Sequence, residues 1–234
     1  MENQRKKILR PTQHAREQIL TAILSGEYPP GTSLPAERVL AEKIGVTRPT
    51  LRENLQSLAR EGWITISHGR PTMVNNYWET GGLALLSTIA KYAEHLPPGF
   101  ITQLLELRVV LIPAFAARAS CHDPGVLHAH LNKAKDLPDD PQAFAEYDWE
   151  LQELMARHSG NRIYPLILND FAYLFKNLAR LYFEGQRGRH SSRNYYRDLK
   201  RALGKGPEEV ERLVKAVMEE SIVIWKQVSG EQAD

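Results

Sequence analysis

Four side chains close together near the amino terminus have the chemistry of a contact with duplex DNA. They are Thr47, Arg48, Thr50 and Arg52. They stand at the start of a predicted helix, where unpaired N–H groups and the positive end of the helix dipole favour phosphate. Arg48 and Arg52 lie four apart on one face and can form bidentate contacts to guanine, while threonines suit phosphate or thymine methyl groups. Arginines that merely solvate an exposed helix face are the alternative.

A second group of the same chemistry follows at a turn between two predicted strands. His68, Gly69 and Arg70 combine hydrogen-bond donors with a residue small enough to approach a groove closely. Solvation of single arginines does not explain why basic residues gather at both tips of one motif. The two groups together therefore indicate DNA binding.

The elements that must position these groups follow from apolar periodicity and turn residues. Apolar spacing predicts a helix over 13–25, a second short helix over 35–44 with Pro35 in its first turn, and a third helix capped by Thr47. The period then changes to that of two strands, 63–66 and 72–74. Three helices followed by a two-stranded wing form a winged helix-turn-helix, in which the third helix enters the major groove.

The remainder of the chain reads as helix. From Trp78 onward, turn residues at six places, each rich in Pro, Gly, Asn or Asp, separate about seven helical segments. The longest apolar pattern runs from Ile163 to Phe183 and predicts a central helix. The expected fold is mainly α, with a DNA-binding domain over 1–76 and an all-helical bundle over 77–234, whose first part, 77–99, is a connector.

The distribution of charge is consistent with a DNA-binding domain at the front of the chain. Residues 1–76 hold eleven Lys and Arg against seven Asp and Glu, whereas the remainder holds nineteen against twenty-one. The positive excess at the front has the sign that DNA requires, although it is small enough to be ordinary surface variation. Zinc-protease, nucleophile-elbow and phosphate-loop motifs are absent from the sequence, so an enzyme is not expected.

Location follows from similar arguments. Apolar runs such as 83–90 and 163–168 are shorter than the span of about 20 residues that crosses a bilayer. The basic residues 1–10 lack the apolar core of a secretory signal, and the single Cys121 cannot form an internal disulfide. We expect a cytoplasmic protein without a membrane partner.

The front of the chain resembles a known family. The motifs that carry the resemblance are Pro29-Pro30-Gly31-Thr32-Ser33-Leu34-Pro35-Ala36-Glu37-Arg38, Gly45-Val46-Thr47-Arg48, Thr50-Leu51-Arg52-Glu53 and Glu61-Gly62-Trp63. They are similar to the DNA-binding domain of the GntR family. Further matches at His68-Gly69-Arg70-Pro71-Thr72 and from Val74 to Thr80 resemble the FadR-type fatty-acid regulators.

This resemblance implies which residues read an operator. Carried over by position they are Arg38 in the second helix, Thr47, Arg48, Thr50 and Arg52 in the third, and His68 and Gly69 on the wing. Pro49 stands where the family often has a threonine, so one hydroxyl contact is expected to be missing. From the two-part layout we expect a homodimer that places two recognition helices about one DNA turn apart on a palindromic operator.

The resemblance continues more weakly into the second half and implies a ligand. FadR-type regulators bind long-chain acyl-CoA in the helical domain, and binding releases the operator. By position the pocket residues are Leu105, Arg108, Phe175, Tyr182, Ser221 and Trp225. Arg108 stands among apolar neighbours and needs an anionic or polar partner if buried, which a salt bridge to Glu106 or another acid also supplies. Met218 and Ile222 replace glycines that adjoin the ligand in close family members.

The sequence also bears on a metal site and on other functions. A sister branch of GntR regulators binds a divalent metal through an Asp and three histidines, but here Gln152 follows Asp148 where the first histidine belongs, and the last helix has no histidine. We therefore expect no metal and no cofactor. His128 and His130 face different sides of a helix and are expected at the surface.

A regulator of the same kind that responds to a small carboxylate held by Arg108 is the main alternative. An acyl-CoA-binding module without regulatory output would leave the front half unexplained.

Overall fold

The computed structural model describes residues 10–89, 91–92 and 95–230 of the 234-residue chain, without the side chains of 84, 176 and 177. The chain forms two compact units, Met1–Leu96 and Pro97–Asp234. The described part of the first unit holds helices and a small sheet, and that of the second is helical. The predicted fold class, a winged helix-turn-helix followed by a helical bundle, is confirmed. The predicted domain boundary after residue 76 stays a prediction.

The first unit begins with the three predicted helices. They are α1 (Pro11–Leu24), α2 (Glu37–Ile44) and α3 (Arg48–Arg60). The turn between α2 and α3 depends on Gly45, whose φ of 79° lies in the left-handed region that favours glycine. The start of α2 differs from the prediction: Ala36 is the residue before the helix, and Pro35 lies outside it. Two short helices, α4 (Tyr77–Thr80) and α5 (Leu83–Ile89), complete the unit.

The wing is a small antiparallel sheet with an additional edge. Strands β1 (Ile64–Thr65) and β2 (Met73–Val74) pair with Ile64 opposite Val74. The segment 31–34 runs beside β2, where backbone bonds join Gly31 N to Val74 O and Leu34 N to Thr72 O at 2.8 Å each. The wing is therefore anchored to the chain between α1 and α2 and held by three segments.

The core of the first unit lies between α1, α3 and the sheet. Its most deeply buried residues are Ala15, Ile19, Leu20, Ile23, Leu40, Leu51, Leu55, Leu58, Trp63, Ile64 and Val74. Arg16 of α1 donates two hydrogen bonds, of 2.7 and 2.6 Å, to the Glu61 carboxylate at the end of α3. The guanidinium of Arg16 holds the pKa of Glu61 below its ordinary value, mainly through these hydrogen bonds. The pair fixes α1 against the end of the helix that carries the predicted reading residues.

The second unit is a bundle of long helices. They are α6 (Phe100–His122), α7 (Pro124–Asn132), α8 (Pro141–Arg157), α9 (Ile163–Glu184), α10 (Gln186–Ala202) and α11 (Pro207–Ser229), with a 3-10 turn at Lys133–Asp136. The most extensive packing joins α6 to α11 and α8 to α9. Asp123 and Asp140 cap α7 and α8 by accepting backbone N–H bonds from Val126 and Ala143.

The predicted break at 185–188 falls at Gly185, between α9 and α10, and it is shorter than expected because α10 begins at Gln186 and includes Gly188. A Cβ at Gly188 would lie 2.7 Å from the Tyr182 carbonyl oxygen and 3.1 Å from its ring. Glycine is therefore needed there because two helices approach closely, and not because the chain turns.

Among the described helices, α6 is long and apolar enough to cross a membrane, with a mean hydropathy of 1.7 over its most apolar window. Its length and composition are also those of a core helix. In the structure α6 packs along α11 and α8, and its Phe115, Ala116 and Ala119 are fully buried or nearly so. We therefore treat α6 as a core helix of the second unit.

The expectation that His130 lies at the surface is wrong. Its side chain is 2% exposed, stacks on Tyr147 with ring centroids 4.1 Å apart, and places Nε2 3.2 Å from the Tyr147 carbonyl oxygen. Spacing alone misplaced it, because the packing of α7 on α8 buries this face. Burial lowers the pKa of the His130 imidazole, since the charged form loses its hydration.

This burial predicts a pH dependence of stability. The unfolded chain protonates His130 near its ordinary pKa of about 6.5, whereas the folded chain resists protonation, so acid favours unfolding. Urea unfolding at pH 7.5, 6.5 and 5.5 is expected to show an unfolding free energy that falls below about pH 6.5, with His130 contributing at most about 1.4 kcal/mol per pH unit. His130→Gln should flatten this part of the profile, and the exposed His190→Gln should not. Equal profiles for both variants would refute the assignment.

Candidate DNA interface and ligand cavity

The start of α3 presents the predicted reading residues to solvent. Thr47 is the N-cap: its Oγ1 accepts a hydrogen bond from the Thr50 backbone N at 3.3 Å and lies 2.9 Å from the Thr50 hydroxyl. Arg48 and Arg52 follow in the first turns, with 56% and 58% of their side-chain surfaces exposed. The cap that the sequence predicted is confirmed, and the side chains of both arginines are more than half exposed.

A carboxylate that sequence reasoning gave no role organises these arginines. Glu37, the first residue of α2, accepts a hydrogen bond from Arg52 Nε at 2.6 Å, and its Oε2 lies 3.9 Å from Arg48 Nη2. One acidic side chain therefore draws both guanidinium groups toward the start of α2. The spacing of Glu37 and Arg52 along the chain gives no signal of this contact, because the turn between the helices brings them together.

The remaining predicted reading residues are also exposed. Arg38 on α2 is paired with Glu42 one helical turn later, at 2.9 Å. At the wing tip, the Arg70 backbone N donates to Ser67 O at 3.3 Å across a tight turn, and Gly69 has a φ of 70°. A residue with a side chain would be strained there, so glycine is required by the turn itself. His68 and Arg70 flank it in solvent.

A cavity of about 110 Å³ lies inside the second unit. Its lining comes from α6, α8, α9, α10 and α11 and is mostly apolar. All six predicted pocket residues contribute to it: Leu105, Arg108, Phe175, Tyr182, Ser221 and Trp225. Met218 also lines the cavity, whereas Ile222 does not belong to its described lining. The structure thus brings the six residues together, and their binding role remains a prediction.

Two donors at the cavity lack an acceptor. The Nε atom of Arg108 and the Nε1 atom of Trp225 are buried without a hydrogen-bond partner among the described residues. Arg108 Nη2 lies 3.9 Å from Asp148 Oδ2, and its guanidinium stands 5.4 Å from the centre of the Phe175 ring. The acid near Arg108 is therefore Asp148 and not Glu106. A buried donor without an acceptor costs about 1–3 kcal/mol, so both atoms point to a missing acceptor.

Asp148 and Gln152 belong to the cavity wall, a role that the sequence did not reveal. Asp148 is 6% exposed and Gln152 is 3% exposed. Asp148 accepts hydrogen bonds from Gln152 Nε2 at 2.6 Å and from the Tyr196 hydroxyl at 3.2 Å. Burial raises the pKa of Asp148, and the nearby Arg108 opposes this. An acid and an amide four apart on the buried face of a helix were the available signal, but we considered them only as metal ligands.

These observations define a class of protein. A winged helix-turn-helix with exposed basic side chains at its reading helix, joined to a separate helical unit that encloses an apolar cavity, is the organisation of a ligand-responsive transcription regulator. Comparison with protein families assigns both parts. Residues 11–74 match the model of bacterial regulatory proteins of the GntR family, and residues 75–233 match the FadR C-terminal domain.

The chain belongs to the GntR family, in the group that carries the FadR C-terminal domain; it is a transcription regulator and not an enzyme. Relatives named fatty acid metabolism regulator protein include one from Shewanella pealeana, 41% identical over 217 residues, which are 92% of this chain and 91% of the relative. One from Escherichia coli O1:K1 is 41% identical over 216 residues, 92% and 90% of the two chains.

A solved structure shares the fold. It is that of Lar, described as controlling the expression of the Listeria monocytogenes agr system, with a TM-score of 0.62 over 97% of this chain and 100% of the other. At 17% identity this likeness concerns the fold alone. Members of the GntR family bind DNA and a small-molecule effector.

Proposed function

We propose that this FadR-type regulator of fatty-acid metabolism binds a palindromic operator as a homodimer and is released from it by long-chain acyl-CoA. The observation that carries the proposal is the apolar cavity of the second unit with two unsatisfied donors, Arg108 Nε and Trp225 Nε1. An acyl chain satisfies the apolar lining, and an acceptor oxygen of the ligand satisfies the donors.

The apolar part of the wall suits a hydrocarbon chain. Long side chains from α6 and α9, among them Leu105, Phe171 and Phe175, line it together with Trp225 of α11. Removing apolar surface from water gains about 25 cal/mol per Å², so a methylene chain is favoured there in proportion to the area that it buries. The thioester carbonyl is one oxygen of the ligand that can act as an acceptor, and Arg108 and Trp225 offer separate donors. The proposed ligand-binding residues are the six predicted ones.

For the DNA interface we propose the exposed side chains at the tips of the first unit. These are Arg38, Thr47, Arg48, Thr50, Arg52, His68, Gly69 and Arg70. Each is at least partly exposed, which is necessary for contact with a groove or a phosphate. We assign residues 1–76 to this interface and 77–234 to effector binding, with 77–99 as the connector, and we place the protein in the cytoplasm, where its DNA and ligand are found.

The coupling between the sites rests on a difference in affinity. In a homodimer the two reading helices must meet half-sites about 34 Å apart. If acyl-CoA binds more tightly to a conformation in which the helices are wrongly spaced, a preference of about 1–3 kcal/mol weakens operator binding about 5- to 150-fold.

A titration tests the effector. We expect saturating hexadecanoyl-CoA to weaken operator binding about 5- to 150-fold when the affinity is measured by fluorescence anisotropy. Coenzyme A without an acyl chain is the control and should leave the affinity unchanged, because it cannot fill the apolar cavity. If operator affinity is unchanged at saturating hexadecanoyl-CoA, the assignment of long-chain acyl-CoA as the effector is wrong.

A second effector class is favoured by one observation. The unpaired Nε of Arg108 suits a small carboxylate as well as a thioester carbonyl. The two ligands differ at Asp148, since a carboxylate brings a second acidic group beside this buried acid, whose pKa burial raises, and a thioester does not. Free short-chain carboxylates belong in the same titration, and release by them alone would favour this alternative.

A further inference from the structure

The cavity contains a polar wall made of Arg108, Asp148 and Gln152, which a plain hydrocarbon chain does not need. All three side chains line the cavity, and Asp148 and Gln152 are more than nine-tenths buried. Burying such groups beside a chain of methylenes is unfavourable unless each finds a partner. The polar wall therefore carries information about the ligand beyond the length of its chain.

Hydrogen bonds within the wall leave it incomplete. Gln152 Nε2 donates to Asp148 Oδ2 at 2.6 Å, and Tyr196 donates to Oδ1 at 3.2 Å. Arg108 Nη2 stands 3.9 Å from Asp148 Oδ2, beyond hydrogen-bond distance, and Arg108 Nε has no acceptor among the described residues. A carboxyl group can accept about four hydrogen bonds, so Asp148 retains accepting capacity while Arg108 retains donors.

The open donor and the open acceptor select one type of chemical group. An alcohol oxygen accepts a hydrogen bond from a guanidinium and donates its own proton to a carboxylate. A keto oxygen can accept a hydrogen bond from Arg108 but has no hydrogen to donate to Asp148. A ligand carboxylate also has only acceptor oxygens and brings a second acidic group beside Asp148, and a methylene group would leave both side chains unpaired.

We infer that the cavity prefers an acyl chain that bears a hydroxyl group, with the hydroxyl bound between Arg108 and Asp148. This inference rests on the proposed acyl-CoA function and names the ligand class within it. Gln152 is a positioning residue, because its hydrogen bond holds the Asp148 carboxyl group at the wall. Ligand selection by the cavity then depends on a hydroxyl group as well as on the length of the acyl chain.

The test compares CoA thioesters that differ by one hydroxyl. Binding to the full chain is measured by calorimetry for hexadecanoyl-CoA and its 3-hydroxy and 16-hydroxy derivatives, and for octadecanoyl-CoA and its 12-hydroxy derivative. A hydrogen bond to a charged group contributes enough for about a tenfold gain or more. We expect at least one hydroxylated ligand to bind about tenfold more tightly than its parent. Parents that bind as tightly as every derivative overturn the inference while leaving the proposed function intact.

Variants identify the wall as the source of the preference. In Gln152→Leu the ratio of affinities for the preferred hydroxylated ligand and its parent is expected to fall about tenfold, because Asp148 loses the hydrogen bond that positions it. Gln142→Leu, exposed on the same helix, should keep the wild-type ratio. If Gln152→Leu does not fold, Asp148→Asn replaces it with the same expectation, and an unchanged ratio in the folded variant overturns the inference. If no thioester binds at all, the proposed function itself fails.

Discussion

Replacing Arg48 and Arg52 together by alanine is expected to weaken operator binding by about 2–6 kcal/mol, since each good contact to a base contributes about 1–3 kcal/mol. This corresponds to a loss of affinity between about 30-fold and about 10⁴-fold. Both side chains are more than half exposed at the start of α3, where a recognition helix enters the major groove. Removal of Arg52 also leaves Glu37 without its hydrogen-bond partner at the same surface, which adds repulsion of phosphate.

This prediction is tested with two DNA sequences and one control variant. Anisotropy is measured on the operator and on a scrambled duplex of equal length, at one salt concentration. The loss should be larger on the operator, because base contacts carry specificity and phosphate contacts do not. Arg60→Ala, at the exposed far end of the same helix, should change both affinities little. Equal losses on the two duplexes would show that the arginines contact phosphate only.

Truncating Trp63 to alanine is expected to cost about 3–5 kcal/mol of unfolding free energy in the first unit, as for other fully buried large aromatic side chains. Trp63 is 0% exposed and precedes β1, and its ring lies 5.0 Å from that of Tyr77 at the start of α4. Its backbone is bonded too, since Asn75 N donates to Trp63 O at 2.9 Å. The side chain therefore stabilises the helices, the wing and α4 together.

Thermal and urea unfolding of the purified variant check this prediction. Trp78→Ala is the matched control, because Trp78 is nearby in sequence and 47% exposed. Its cost should stay below about 1 kcal/mol, in the range of surface substitutions. Operator binding by Trp63→Ala should fall with the fraction of the first unit that is unfolded. Similar costs for the two tryptophans would show that the burial of Trp63 in the core is wrong.

Much of the fold was predictable because its signals are local. Thr47 caps α3 through a bond to a residue three positions away, and Gly69 supplies a left-handed conformation to a turn of four residues. The helix from Ile163 was predicted to end at Phe183 and ends at Glu184. Periodicity and capping act within one or two turns of chain, so neighbouring letters contain the information.

The candidate sites divide in the same way. The resemblance to FadR-type regulators named six residues that all line the cavity, although their residue types alone favour an ordinary core. The contacts of Glu37 and Gln152 were not predicted. Spacing along the chain indicates neither the contact of Glu37 with Arg52 nor the hydrogen bonds around Asp148. His130 was placed at the surface although it is buried under α8.

By itself the sequence determined the order of helices and strands, the cap and turn chemistry of the reading head, and the family. Tertiary structure alone decided the third edge of the wing, the close approach that requires Gly188, the burial of His130 and the polar wall of the cavity. The physical reason is the range of the forces involved. Capping and periodicity depend on neighbours along the chain, whereas burial and unpaired donors depend on which distant segments pack together.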